Sequence, residues 1–453
     1  MSDSSLFAKY NIPGPRYTSY PTVPFWETTP SAEQWAEHVR ETFQKTNLAE
    51  GISLYIHLPF CESLCTYCGC NTRITINHAV EEIYANALLK EWSLYIKLFN
   101  DKPRFREMHL GGGTPTFFSP ENLKRLISGV LNTGIVTPDA ALSFEAHPNN
   151  TTVEHLQVLH ALGFKRISIG VQDLNRNVQE IVNRIQPFEA VKTLTEESRK
   201  AGFDSVNFDL IYGLPLQTQA SIVHTIEKVI QLRPDRIAFY SYAHVPWIKP
   251  GQRKFTEADL PKDEEKLELY KTGRALLEEK GYKEIGMDHF ALVSDELYQA
   301  SITKKLHRNF MGYTPFATSL LIGLGASSIS DTWTAFAQNE KKVEDYYKAL
   351  KEDRIPFFRG HRLTAEDMIL RRHILNIMCY METSWKDKDM QVPSIPQAVN
   401  ELKEMEEEGL VKTSAYGLKV PPEGLPFIRN ICMAFDARLK AREKGSVQFS
   451  KTI

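Results

Sequence analysis

Between residue 51 and about residue 290, short apolar runs alternate with amphipathic stretches, and this alternation constrains the fold more than any other feature. The runs rich in β-branched and aromatic residues lie at 53–57, 107–110, 142–146, 166–171, 205–212 and 236–242, with a further one at 284–289. Helical patterns fall between them at 79–99, 120–131, 153–162, 187–201, 219–232 and 262–280. Apolar strands separated by helix-length segments imply βαβ units and a parallel sheet buried on both faces. Right-handed crossovers wind such a series into a curved sheet or barrel. Six clear strands predict an α/β fold of incomplete, TIM-like type, a partial (β/α)6 barrel with room for a large ligand. Chemistry in such folds sits at the C-terminal ends of the strands.

The flanks read differently. Residues 1–50 form an N-terminal extension with little periodic structure before a helix at 31–46, and 11–25 carries four prolines among aromatics, an extended strap. The barrel takes 51–300, a connecting region 301–362, and a mostly helical C-terminal part 363–453. In the last, helices at 365–381 and 395–408 lead into a β-like stretch at 410–420 with Gly417 as its turn. A final helix at 425–441 then precedes a basic tail, a winged-helix-like cap. Acidic residues around 404–408 and a net charge of −2 argue against nucleic acid as partner. No apolar run approaches the roughly 18 residues that span a bilayer, and residues 1–10 lack the apolar core of a secretory signal. A cytoplasmic monomer without a membrane partner is the expectation.

Of six cysteines, four fall between 61 and 70. Cys61, Cys65 and Cys68 follow the first strand in C-x3-C-x2-C spacing, with aromatic Tyr67 before the third. Three thiolates in a short loop can hold three irons of a cubane cluster and leave the fourth open to an external ligand. The competing reading is a structural zinc site with Cys70 as fourth ligand. Cys379 and Cys432 sit in apolar helical surroundings and read as buried hydrophobes. Gly111-Gly112-Gly113-Thr114-Pro115 ends the second strand, where missing side chains let backbone approach a ligand. Glu145 ends the third strand. Gln172 and Asp209 lie at the ends of the fourth and fifth, and Arg184 follows the fourth. Such groups can bind hydroxyls or pair with a carboxylate, or form a surface salt-bridged trio. Arg16, fixed among prolines, can grip a substrate carboxylate or belong to a strap packed on the barrel. The run 304–310 mixes basic and aromatic residues and is either a polycarboxylate grip or a solvated face.

The cysteine spacing and the GGGTP loop resemble those of the radical S-adenosylmethionine superfamily. Over nearly its whole length the chain resembles the oxygen-independent coproporphyrinogen III dehydrogenases. Three stretches carry the likeness: 13–22 with Arg16 at its centre, Tyr55 to Phe60 running into the four cysteines, and Leu306 to Thr314 followed by Leu324 to Ile329. The resemblance implies a [4Fe–4S] cluster on Cys61, Cys65 and Cys68, with S-adenosylmethionine chelated at the open iron. Gly111 belongs to the loop that meets the methionine amine, and Tyr55, Gly112, Glu145, Ala243 and Ile329 would contact this cofactor. A second S-adenosylmethionine would be held by Tyr67, Gly113, Thr114, Gln172, Arg184 and Asp209. Cys70 matches a motif cysteine that is not a cluster ligand, with a role in substrate handling or electron transfer. The implied reaction converts two propionates of coproporphyrinogen III to vinyl groups, giving protoporphyrinogen IX, with an electron donor such as flavodoxin or ferredoxin. Arg16 and the 304–308 cluster would hold the unreacted carboxylates. Two departures stand out: Met311 where the family usually has glutamine, and Pro315-Phe316-Ala317 in place of a more polar stretch. Related alternatives are a haem chaperone, which typically lacks the 13–22 strap and carries Phe where Cys70 stands, or another radical enzyme acting on a tetrapyrrole.

Overall fold

The computed structural model describes residues 3–441 and 449–452. The basic tail expected beyond residue 441 lies for the most part outside them. A 12-stranded sheet forms the frame. Its centre is the predicted series: β1 Ile52–Leu58, β2 Arg104–Gly112, β3 Ile135–Ala146, β4 Arg166–Gln172, β5 Ser205–Tyr212 and β6 Arg236–Ser241, each parallel to the next. The run expected as a seventh strand is a hairpin instead, β7 Tyr282–Gly286 and β8 His289–Leu292, with β8 antiparallel to β6. Asp288 turns that corner in the left-handed region, φ 64.

The connecting region also builds the other wing of the same sheet. Leu321–Leu324 (β9) lies parallel beside β1, and Ile329–Asp331 (β10), Ala335–Asn339 (β11) and Phe357–Arg362 (β12) continue it antiparallel. These strands are three to six residues long, too short for a periodic signal to rise above loop composition.

Strand alternation sorts the residues. On β1, Leu54, Ile56 and Leu58 are buried under the helices with Met108, Leu110, Phe144, Ile167, Ile169 and Phe208 of the neighbouring strands. Each such side chain contributes about 1.5–3 kcal/mol through lost water contact. The intervening positions face the lumen and are polar. The register aligns Tyr55 with His109, His109 with Ser143, Glu145 with Ser168 and Gly170 with Asp209. The helices begin where side chains cap them: Ser119 Oγ accepts from Asn122 N (3.3 Å) ahead of Pro120–Leu131, and Thr218 Oγ1 from Ser221 N (3.2 Å) ahead of Gln219–Leu232.

The flanks depart from expectation in detail. A helix at Asp3–Tyr10 opens the chain. The expected helix 395–408 divides into Ile395–Glu401 and Lys403–Glu407. Gly417 is not the turn but the first residue of the strand Gly417–Lys419, and Ala415 and Tyr416 make the turn. The expected helix 425–441 is a 3-10 turn, Pro422–Phe427, followed by Ile428–Met433 and Ala437–Lys440. Pro426 lacks the N–H that an α-helix there needs. The strap packs mainly on this C-terminal part rather than on the barrel: Tyr17 and Tyr20 share a core with Leu370, Ile374, Ile377, Met378 and Phe435. Cys379 and Cys432 are buried thiols, as expected. Among the described residues no helix is long and apolar enough to cross a membrane.

One buried carboxylate joins the two wings. Glu91, on the helix Val80–Ile96, accepts from Gly325 N (2.8 Å), Tyr346 Oη (2.7 Å) and Asn339 Nδ2 (2.6 Å). Burial nevertheless pushes Glu91 up to about 7 from an ordinary 4.5. The native state therefore holds more protons than the unfolded chain between those values, and this group's contribution to stability falls as pH rises through them. Glu91→Gln does not titrate. Its stability relative to the unaltered chain should improve between about pH 5 and about pH 7.5, read as the difference in urea midpoints. A difference constant with pH contradicts the assignment.

Candidate active site

At the C-terminal ends of β1 to β6 a cavity of about 400 Å³ opens, lined by the cysteine loop, the glycine loop and the ends of four strands. The cysteine loop leaves β1 through Phe60–Cys61 and closes on itself by pairing with Arg73–Ile74. Neighbouring loops hold it from outside. Thr66 N donates to Val182 O (2.9 Å), Asn183 Nδ2 to Leu64 O (2.8 Å) and Lys249 Nζ to Cys70 O (3.0 Å). Tyr67 is packed with Val178, Val182, Ile211 and Leu214, which turns the loop's one aromatic side chain inward.

Cys61, Cys65 and Cys68 all line the cavity, as does Cys70. Cys61 Sγ lies 3.4 Å from Thr114 Oγ1, and Arg184 Nη1 lies 3.8 Å from Cys65 Sγ. Burial pushes the Cys61 thiol up to about 11, a tendency that a bound metal reverses by taking the thiolate. Among the described residues no group of three or more His, Cys, Asp or Glu side chains is gathered into a metal-holding arrangement. The thiols instead present three sulfur donors along one wall of an open cavity. That donor set suits an iron–sulfur cluster with one iron left to an outside ligand.

The glycine loop forms the facing edge because nothing larger fits. A Cβ on Gly112, at φ +119, would sit 2.7 Å from the His57 ring. One on Gly113 would sit 2.7 Å from the carbonyl of Pro59. Gly113 N donates to Leu58 O (2.8 Å) and Thr114 N to Phe60 O (3.0 Å), so glycine loop and cysteine loop are one hydrogen-bonded unit. Glu145 follows at the end of β3. Its Oε2 accepts from Gly112 N (3.2 Å), and His109 Nε2 lies 3.5 Å from its Oε1.

The far wall is polar. Gln172 ends β4 in the left-handed region, φ 63, beyond a bulge, and it lines the cavity with Gly170. Arg184 is placed by Gly170 O (2.6 Å) and Gln186 Oε1 (3.1 Å). Asp209 accepts from Ser168 Oγ (2.8 Å) and Asn207 Nδ2 (2.9 Å). Burial, then the Glu145 carboxylate, pushes Asp209 up to about 6.

Twelve of the residues singled out from sequence thus share one cavity: Cys61, Cys65, Tyr67, Cys68, Cys70, Gly112, Gly113, Thr114, Glu145, Gln172, Arg184 and Asp209. Tyr55 and Gly111 stand just behind it. A Cβ on Gly111 would meet Glu145 Oε1 at 3.0 Å and Tyr55 Oη at 3.1 Å. Ala243 and Ile329 border it at one remove. Gln252 Nε2 donates to both Ala243 O (3.2 Å) and Tyr67 O (3.4 Å), and Ile329 packs on Gly323, the register partner of Tyr55. Arg16 lies over the end of β6, with Nη2 donating to Ser241 O (2.9 Å) and Nη1 3.7 Å from Asp288. The 304–308 run is split: Lys304 pairs with Glu382 on the surface, while Arg308 is buried. Ser168, Tyr240 and His147, which carry no role in the sequence analysis, also line the cavity. Counting alternate positions along β4 and β6 finds the first two. His147 continues the same alternation two residues past Glu145.

Glycine at 113 should be indispensable. Gly113→Ala must move the backbone at Pro59 and Phe60, at a cost of about 1–3 kcal/mol. We expect a lowered melting temperature and faster reaction of the metal-free cysteine loop with a thiol reagent. Unchanged values would mean that the two loops are not coupled.

The chain matches the radical SAM superfamily over residues 55–229. It is 39% identical over 461 residues to an oxygen-independent coproporphyrinogen III oxidase of Synechocystis sp., covering 99% of this chain and 98% of the relative. The protein of the same name from Escherichia coli is 37% identical over 456 residues, covering 100% and 98%. A solved structure of the Escherichia coli coproporphyrinogen III oxidase, described as a radical SAM enzyme, superposes with a TM-score of 0.89 at 35% identity, covering 96% of this chain and 99% of that one. The chain therefore belongs to the oxygen-independent coproporphyrinogen III oxidase family.

Proposed function

We propose that this chain catalyses the oxygen-independent oxidative decarboxylation of coproporphyrinogen III in haem synthesis. Two propionate side chains each give up a hydrogen, carbon dioxide and one electron to become vinyl groups, yielding protoporphyrinogen IX. One observation carries the reading: a single cavity gathers three thiols, a glycine loop and a polar wall, in a chain aligned end to end with oxidases of this name. When bound, a [4Fe–4S] cluster with S-adenosylmethionine supplies the 5′-deoxyadenosyl radical that begins the reaction.

The protein's share is binding, orientation and exclusion of water. In this reading Cys61, Cys65 and Cys68 hold the cluster. Tyr55, Gly111, Gly112, Glu145, Ala243 and Ile329 surround the cofactor on it, with the Glu145 carboxylate placed for an ammonium. Tyr67, Gly113, Thr114, Gln172, Arg184 and Asp209 hold a second S-adenosylmethionine. Gln252, which donates to backbone in both sets, would keep the two in register. Cys70, exposed beside the cluster loop, serves substrate handling or electron transfer. Arg16 anchors a substrate carboxylate. The division into 1–50, 51–300, 301–362 and 363–453, a flavodoxin- or ferredoxin-like electron donor, a monomeric state and a cytoplasmic setting belong to the same proposal.

The direct test is anaerobic incubation of the reconstituted protein with coproporphyrinogen III, S-adenosylmethionine and a reductant. Protoporphyrin should be recovered after oxidation, along with 5′-deoxyadenosine, and a haem-binding protein without product would defeat the reading. Replacing Cys61, Cys65 and Cys68 together by serine should abolish both products and the iron–sulfur absorbance. Arg16→Ala should raise the substrate KM by roughly tenfold or more, the worth of a charge-assisted hydrogen bond, with cluster absorbance intact; equal kinetics would remove Arg16 from the substrate site.

A further inference from the structure

The hairpin of residues 307–309 and 312–314 carries a buried cation that the protein itself leaves unanswered. Arg308 is 5% exposed, and its guanidinium lies 4.5 Å from the Tyr313 ring centroid. Among the described residues, its Nε and Nη1 have no hydrogen-bond partner. A guanidinium buried in this way is costly unless something anionic completes it. The neighbouring charges do not. Asp288 lies in the field of Arg308, but also in that of Arg16, Arg429 and Lys266.

The other cations are largely committed. Arg429 donates to the backbone carbonyls of Gly14, Pro15, Lys451 and Thr452, which clamps the strap and presents Arg16. Lys266 Nζ donates to Tyr242 O (3.1 Å). Arg16 spends Nη2 on Ser241 O (2.9 Å), but its Nη1 has only a 3.7 Å approach to Asp288. Among these cations the unspent donors belong to Arg308 and Arg16. Tyr240 joins this cluster to the reaction chamber. It lines the cavity, its Oη lies 3.4 Å from His289 Nε2, and the His289 ring packs 5.1 Å from that of Tyr313, over which Arg308 lies.

We propose that Arg308, with Arg16, forms a buried carboxylate subsite behind Tyr240 that holds a non-reacting propionate of the substrate. The inference rests on the function proposed above and deepens it. The planar fork of a guanidinium matches a carboxylate in two parallel hydrogen bonds, which fixes orientation as well as position. Anchoring a propionate there sets which side chains of the macrocycle reach the cofactor. The two lysines of the same run take no part: Lys304 is paired with Glu382, and Lys305 is exposed.

The test uses the full-length reconstituted chain and two fluorescent probes, coproporphyrin III and its tetramethyl ester. The unaltered protein should bind the free acid more tightly than the ester. Arg308→Gln should weaken binding of the acid by roughly 10- to 100-fold, the range for a lost charge-assisted pair, and leave the ester unchanged. Arg308→Lys should fall between, because it keeps the charge and loses the fork. In turnover the loss should appear in KM, with iron content and far-ultraviolet circular dichroism unaltered. Should Arg308→Gln fail to fold, the acid-to-ester ratio of Arg308→Lys decides. An unaltered protein that turns over, with variants that keep its ratio, overturns the proposal alone and leaves Arg308 a packing partner of Tyr313. An unaltered protein that binds neither probe and forms no vinyl product overturns it together with the function it rests on.

Discussion

The two-residue period of the parallel strands is the constraint from which the rest follows. One set of alternate positions is apolar and packs under the helices, as with Leu54, Ile56, Met108, Leu110, Phe144, Ile167 and Ile169. Because successive side chains point to opposite faces, the other set must face the lumen. A sheet that curves without closing leaves that lumen open, so its residues are free to be polar. The hydrophobic core therefore dictates, residue by residue, which side chains are left to the chemistry.

A polar interior carries its own demand, since every buried polar group needs a partner. The lower lumen meets it internally: Arg236 binds Asp295 (2.8 Å), Arg166 binds Glu296 (2.7 Å), and Glu107 accepts from Ser53 Oγ (3.1 Å). Nearer the mouth the pairing thins. Glu145 is half exposed, and Asp209 is held up by burial. The gradient runs from structural satisfaction at the base to unsatisfied groups at the strand ends, where a ligand would supply the missing partners.

The flanks act on the site by placing groups rather than by covering the core. Arg371 and Asp331 form a buried ion pair between the helix Ala365–Tyr380 and β10, so the C-terminal part is locked to the wing that carries Ile329. Arg429, from the same part, grips the strap by its carbonyls and sets Arg16 over the end of β6. Residues from both ends of the chain thus meet beside the end of β6.

Much was legible in the sequence alone. The strand at 205–212 and the helices at 120–131 and 219–232 have the limits read from their patterns, because local period and capping residues determine them. The cysteine spacing, the glycine run and the polar residue at each strand end are likewise local, and twelve of them meet in one cavity. Tertiary structure alone decided the rest. The strands of 321–362 are too short to announce themselves and exist because β1 offers them an open edge. Helices read as continuous at 395–408 and 425–441 broke where packing and Pro426 outweighed periodicity. Arg16, Asp288, Arg308 and Arg429 are scattered over more than four hundred residues of sequence. Their meeting depends on how the strap, the hairpins and the C-terminal helices close on the barrel, and long-range closure leaves no periodic trace in the chain that performs it.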